Sequence, residues 1–315
     1  MRLFIKRGVL FILPVILIFF LLEFFLRKMG TSYQIKNEQL VECNKDVELL
    51  ILGNSHAAYG LDPEQFALNA FNLAQVTQSL YFDKRITLKH LNEMKKLKYV
   101  LISVDFHSLY FSDEGYRNLW TYYGYGVDYK KEAPILSKWS HAIGYNPKIS
   151  IEFIKRGLDK KYNRIKAIDV ESGVDLSRPI VKGFFAYKDS TDLQKDHLQK
   201  RASEFNSMVL PSKERNEIIK DLEDFIDELK KRNIIPILVT LPCYGPYRDL
   251  LDKKVQEQNK ADILNLCEKY QIQYWDYFTM PLKEDLFFNC DHLNEKGSAY
   301  FSAIINTRLE SMKYQ

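Results

Sequence analysis

Apolar residues are distributed along this chain in three ways. From Gly8 to Leu26 they run almost without a break, Glu23 being the one charge in 19 residues. A helix of that length spans roughly 28 Å at ~1.5 Å per residue, enough to cross the hydrocarbon core of a bilayer. Pro14 lies inside it, which membrane helices tolerate better than soluble ones. After a polar stretch the apolar residues come in short bursts: Val47–Leu52, Ala70–Ala74, Tyr99–Asp105, Ile234–Leu241 and Gln271–Tyr277. Their length and their β-branched, aromatic and aliphatic content predict buried strands. Between the bursts apolar positions recur three and four apart, as in Ile218, Leu222, Phe225, Ile226 and Leu229, or Val255, Ile263, Leu264, Leu266 and Cys267. That spacing marks one face of a helix. It predicts helices over Gln75–Lys96, Pro211–Arg232, Tyr247–Tyr270 and Glu295–Met312. Strands alternating with helices predict an α/β fold: a mainly parallel sheet with helices on both faces.

The alternation breaks from about 107 to 210, too long for a structureless loop inside a compact domain. The reading is an insertion after the third strand, partly helical and placed over the carboxyl edge of the sheet. It opens with Tyr110, Phe111, Tyr116, Trp120, Tyr122, Tyr123, Tyr125 and Tyr129. Flat rings suit sugar faces, but an insertion must bury something to fold, so an aromatic core of its own is the favoured reading. The chain then divides into an anchor (1–29), a polar tether (30–46) and one domain over 47–315 that carries the insertion.

Composition and charge adjust this picture little. Hydrophobic residues make up 46% of the chain, ample for a large core, and 45 basic against 41 acidic side chains leave a net charge of +4. With no basic cluster, nucleic acid is not an expected partner. Arg2, Lys6 and Arg7 precede the apolar run while Arg27 and Lys28 follow it. This modest bias favours an N-terminus in the cytoplasm and the main body outside it. No small-x-small cleavage site follows the run, so a retained single-pass anchor through residues 8–26 is expected rather than a removed signal. Cys43, Cys243, Cys267 and Cys290 show no C-x-x-C spacing and are read as buried or free.

The chemistry sits at the two ends of the strand-and-helix pattern. Gly53-Asn54-Ser55-His56 directly follows the first strand, and Asp291-His292 directly precedes the last helix. Ligands in open parallel sheets bind at the carboxyl ends of the strands, which puts Ser55 and His292 on one edge. A serine hydroxyl needs a base to become a nucleophile, and imidazole suits the task. Backbone N–H groups near Ser55 and Ala74 are candidates to hold an oxyanion. His56 is expected to point away from the nucleophile. Asp105 and His107, at the end of the third strand, are placed to line the site, and Asn294 reads as a helix cap.

These blocks resemble those of the SGNH (GDSL-like) hydrolase superfamily, in its membrane-anchored bacterial branch. Gly53-Asn54-Ser55 stands where that family has G-D-S, and His292 matches the histidine of its D-x-x-H block. The resemblance covers roughly 47–105 and 213–312. It implies a flavodoxin-like (SGNH-type) sheet, with Ser55 as nucleophile and His292 as base. The family's acid position is Asn289 here, and the adjacent carboxylate is Asp291, so either Asp291 or, less favoured, Asn289 orients the imidazole. Ala74 replaces the oxyanion glycine; the third-block asparagine has no match, the strand running instead into Asp105-Phe106-His107. Asn54, Asp105 and His107 join the candidate substrate-side residues. The implied activity is O-acyl (often acetyl) transfer onto cell-envelope or secreted polysaccharide, or esterase action on the same bonds. Neither metal nor organic cofactor is called for, and an integral-membrane acyl donor is an implied partner. The competing expectation is a catalytically silent glycan-binding or scaffolding protein of envelope assembly.

Overall fold

Four fully buried residues, Leu49–Leu52, form the inner strand β1. Each such side chain removed from water contributes about 1.5–3 kcal/mol, which is why this run anchors the sheet. The computed structural model describes residues 2–28, 30–110, 118–128, 135–144, 147, 150–151, 154–155, 179–187, 193–207 and 212–312. Beside β1 lie β2 (Ala70–Asn72), β3 (Tyr99–Ser103), β4 (Ile235–Thr240) and β5 (Gln273–Asp276). All pairings are parallel, in the order β2-β1-β3-β4-β5. Register sets Leu50 beside Phe71 on one side and Val100 on the other, then Ile102 beside Leu238 and Val239 beside Trp275. This is the flavodoxin-like strand order, and its direction reverses between β1 and β3. The crevice that such a reversal opens lies at the carboxyl ends of those two strands.

The helices are α1 (Arg2–Lys28), α2 (Ser32–Cys43), α3 (Ser55–Gly60), α4 (Leu80–His90), α5 (Asn118–Tyr125) and α6 (His141–Gly144). They continue with α7 (Lys195–Asn206), α8 (Ser212–Lys231), α9 (Gly245–Arg248), α10 (Lys253–Tyr270) and α11 (Glu295–Met312). Leu49, Ile51, Leu101, Ile237, Val239 and Trp275 share a core with Phe301, Ile305 and Leu309 of α11. Alternation along the strands sends Leu50, Val100, Ile102 and Leu238, all fully buried, to the opposite face. There α8 packs on β4 and against α4, with Lys84 Nζ 3.0 Å from Asp221.

The expected strands and helices are present, most with shorter ends, while α11 keeps the expected bounds. The helix expected over Gln75–Lys96 is confined to Leu80–His90. The one expected over Tyr247–Tyr270 is two helices, split where Asp252 caps α10 by accepting from the N–H of Lys254 and Val255. The stretch 30–46, read as a polar tether, carries a helix. Most of it is α2, because Tyr33, Lys36 and Leu40, at helical spacing, are all buried. All four cysteines are free; Cys243, Cys267 and Cys290 are buried and Cys43 is partly so.

The chain forms two compact units, Met1–Ile35 with Glu114–Pro179, and Lys36–Asp113 with Ile180–Gln315. In the first, α1 is long and apolar enough over Lys6–Lys28 to cross a membrane, and most of its side chains are exposed. The aromatic residues of α5 turn inward there: Trp120 and Tyr125 are buried, with ring centroids 6.3 and 6.1 Å from that of Tyr33. Phe111, Tyr116 and Tyr129 lie outside the described residues. The second unit holds the whole sheet, together with the later part of the insertion.

Candidate active site

Gly53 leaves β1 at φ +132°, and a Cβ there would stand 2.5 Å from Ser103 Cβ on the neighbouring strand. Only glycine lets the chain turn so close to β3. Its N–H donates to Asp83 Oδ1 (3.1 Å), which also accepts from Gln78 Nε2 (2.6 Å). Asn54 then caps α3, its Oδ1 accepting from the His56 N–H at 3.0 Å. Ser55 is the first helical residue, so its own N–H has no carbonyl within the helix to bond.

His292 arrives from the loop between β5 and α11. Asn289 Oδ1 accepts from the backbone N–H of both Asp291 (3.2 Å) and His292 (2.9 Å), folding the loop into a tight turn. The Phe288 N–H donates to the His292 carbonyl at 2.8 Å, and Asn294 accepts the Gly297 N–H as the expected cap of α11. The turn brings His292 Nε2 to 2.8 Å from Ser55 Oγ. On its other side, His292 Nδ1 is 3.0 Å from Asn289 Oδ1 and 3.1 Å from Asp291 Oδ1. Both candidates for the orienting group therefore meet the same nitrogen. Two acceptors there keep the proton on Nδ1 and leave the Nε2 lone pair facing the serine. Burial holds His292 below the ordinary imidazole range against the pull of Asp291, so it is a neutral base at pH 7.

His56, expected to point away, is instead part of this cluster. Its ring centroid is 5.1 Å from that of His292, its Nδ1 is 3.1 Å from Asp105 Oδ1, and its Nε2 is 3.7 Å from Asp291 Oδ2. Burial pushes this imidazole down, but Asp105 and Asp291 together lift it to about 10, so it is the charged histidine of the pair. Asp291 sits well below the carboxylate range despite its burial, held there by His292, His56 and Arg201. Arg201 of α7 reaches Asp291 Oδ2 with Nε at 3.2 Å. Asp105 is likewise lowered against its burial by His56. His107 is pushed down to about 3 by burial and by the nearby His56 charge; its Nε2 is 3.2 Å from Asn54 Nδ2.

Two expected substrate-side groups are committed elsewhere. The Ala74 N–H donates to Asn72 Oδ1 at 2.9 Å, and its carbonyl accepts from buried Lys36. Asn72 is a polar residue in a buried strand, and its Nδ2 bonds the carbonyls of Ala57 (2.9 Å) and Leu61 (2.8 Å). This ties α3 to the second strand and consumes the donor the sequence assigns to an oxyanion. Asn54 likewise spends both side-chain polar atoms, on the α3 cap and towards His107. Asp105 accepts from Ser103 Oγ and faces His56, so it supports the cluster rather than lining an open pocket.

The later insertion supplies residues the sequence does not reveal. Tyr59 stands edge-on to His292 at 5.2 Å and to Tyr187 at 4.7 Å, while Tyr187 stacks on Phe288 at 4.0 Å. A cavity of about 440 Å³ adjoins the histidine loop, lined by His197, Lys200, Arg201 and Glu204 of α7 and by Phe288 to Asp291. His56, Asp291 and His292 place one possible metal-ligating atom each within 4.8 Å of the others. The guanidinium of Arg201 and the charge on His56 already neutralise Asp291, which disfavours a further cation.

No family model matches this sequence, and no curated protein matches it. Among solved structures, a GDSL-like lipase from Bacteroides thetaiotaomicron is 11% identical, over 88% of this chain and 98% of its own, with a TM-score of 0.40. The aryl esterase of M. smegmatis, in an inhibitor-bound form, is 6% identical over 84% of this chain and 99% of its own, with a TM-score of 0.36. The chain is thus similar to GDSL-type lipolytic proteins and esterases.

Proposed function

We propose that the protein is a membrane-anchored serine acyl-transfer enzyme, an O-acyltransferase or esterase working through an acyl-Ser55 intermediate. The observation that carries this reading is the 2.8 Å approach of His292 Nε2 to Ser55 Oγ, with Nδ1 held from behind by Asp291 and Asn289. His292 accepts the Ser55 proton as Oγ bonds to an ester carbonyl carbon. The resulting oxyanion is held by the Ser55 N–H at the start of α3. The intermediate collapses as His292 returns the proton to the departing alkoxide, leaving Ser55 acylated. His292 then takes a proton from a sugar hydroxyl or water as its oxygen bonds to the acyl carbon, and gives that proton to Ser55 Oγ as the acyl–Oγ bond breaks.

The apolar length of α1 supports a substrate at a membrane surface. With the N-terminus in the cytoplasm, the body faces the outside of the cell, where acylated envelope or secreted polysaccharide is the acceptor or ester. An integral-membrane protein is the corresponding source of acyl groups. One observation favours a second reading, a silent glycan-binding or scaffolding module: the N–H of Ala74 is already bonded, which removes one expected oxyanion donor.

The test is a fluorophosphonate probe on the full chain in detergent, read by intact mass beside Ser55→Ala and His292→Ala. A single adduct lost in both variants supports the enzyme. No adduct on folded protein, with glycan binding unchanged in both variants, supports the module.

A further inference from the structure

Glu23 lies one turn before the end of the apolar run, about 4.5 Å along the axis from Leu26. A bare carboxylate at that depth is costly, so its partners are informative. It accepts from Arg27, from Ser140 Oγ (2.7 Å) and from the backbone N–H of His141 (3.1 Å) and Ala142 (3.0 Å). Arg27 Nη2 in turn donates to the Trp139 carbonyl at 2.6 Å. The segment Ile135–Gly144, a 3-10 turn followed by α6, is therefore fastened to the membrane-exit end of α1 by bonds from both ends of the Glu23–Arg27 pair.

This segment turns large apolar side chains outward. Leu136 is 63% exposed, Trp139 75% and Ile143 47%, and Ile151 shortly after is 53% exposed. The other two tryptophans of the chain, Trp120 and Trp275, are 1% and 0% exposed, so an outward tryptophan is exceptional here. Exposed apolar clusters mark docking surfaces, and tryptophan favours the boundary between headgroups and acyl chains. The depth of Glu23 sets that boundary at the level of this segment.

We infer that Leu136, Trp139 and Ile143 dock into the bilayer interface beside α1, making the insertion a second, monotopic membrane contact. The occupant is lipid, because the bonds to Glu23 and Arg27 fix the segment at the edge of the span, continuous with the surface α1 itself presents to acyl chains. The inference rests on α1 spanning a bilayer and is independent of the chemistry at Ser55.

The full chain is reconstituted into phosphatidylcholine vesicles, floated on a density gradient, and then examined with lipid brominated high on the acyl chain. Trp139 emission is expected to be strongly quenched, with the effect absent in Trp139→Phe. Glu23→Ala, which keeps the apolar span but releases the segment, is expected to cut the quenching by about half or more. Flotation without bromolipid quenching overturns docking while leaving the anchor intact, whether Trp139 is reached by aqueous iodide or shielded by protein. Failure to float overturns the anchor and the docking together. The fluorophosphonate adduct at Ser55 is unaffected by either result.

Discussion

Asp291→Asn removes one negative charge 3.1 Å from His292 Nδ1 while nearly preserving shape. When His292 takes the serine proton, that carboxylate stabilises the new imidazolium by about 5 kcal/mol at an effective dielectric constant of about 20. Arg201, 3.2 Å from the same carboxylate, cancels part of this. The expected net loss is about 2–4 kcal/mol, roughly 30- to 1,000-fold in kcat/KM. Asn289 still accepts from Nδ1, so the tautomer survives and the loss stays below that of a triad left in the wrong tautomer. Hydrolysis of p-nitrophenyl acetate across pH gives the decisive readout. Without the carboxylate the imidazole becomes a weaker base, so the acid limb of the profile moves to lower pH as the plateau falls. Asn289→Ala should cost about tenfold or less in rate and leave that limb in place, because Asp291 still holds Nδ1, though the loop loses acceptors worth about 1–3 kcal/mol. A melting curve checks folding, since breaking a buried ion pair costs about 3–5 kcal/mol. The reasoning is refuted if Asp291→Asn stays within a few-fold of wild type on folded protein while Asn289→Ala is inactive.

His292 sits below the ordinary imidazole value of about 6.5, so the wild-type rate should hold its plateau to below that pH, read by the same ester assay. His56 is raised to about 10 when folded; the stability it contributes is complete below its unfolded value of about 6.5 and is lost as pH rises through about 10. The melting-temperature gap between wild type and His56→Gln should therefore narrow across that window, and a constant gap would show His56 to be neutral in the fold. Gly53→Ala places a methyl group 2.5 Å from Ser103 Cβ at φ +132°, and should cost about 1–3 kcal/mol in urea unfolding and abolish fluorophosphonate labelling. Asn72→Ala deletes three buried hydrogen bonds, two holding α3 and its C-cap Leu61 to β2 and one from the Ala74 N–H, and should destabilise by about 2–5 kcal/mol in the same assay.

The sheet was legible because its inner strands β1 and β3 are short apolar runs buried on both faces, and α8 because its apolar residues fall on one stripe. α2 was not, because one of the residues it buries is Lys36, whose charge breaks the apolar pattern. Ser55 and His292 were legible since each lies next to a recognisable element on the same sheet edge. The remainder of the cluster is assembled from places that share no local signal. His56 is defined by Asp105 and Asp291, which come from the ends of other elements, and Arg201 comes from the insertion. Ala74 looked available because the sequence does not show that Asn72 folds back onto it. A polar residue inside an otherwise apolar strand was the one clue, since a buried amide must find partners.

Ser55 and His292 are 237 residues apart in the chain. During synthesis the serine turn emerges well before the histidine that faces it. Over that interval the nascent chain carries a lone hydroxyl, and a product that stops short of His292 has no imidazole to set beside Ser55. The proposed pair exists only once the loop before α11 has come home to the end of the first strand.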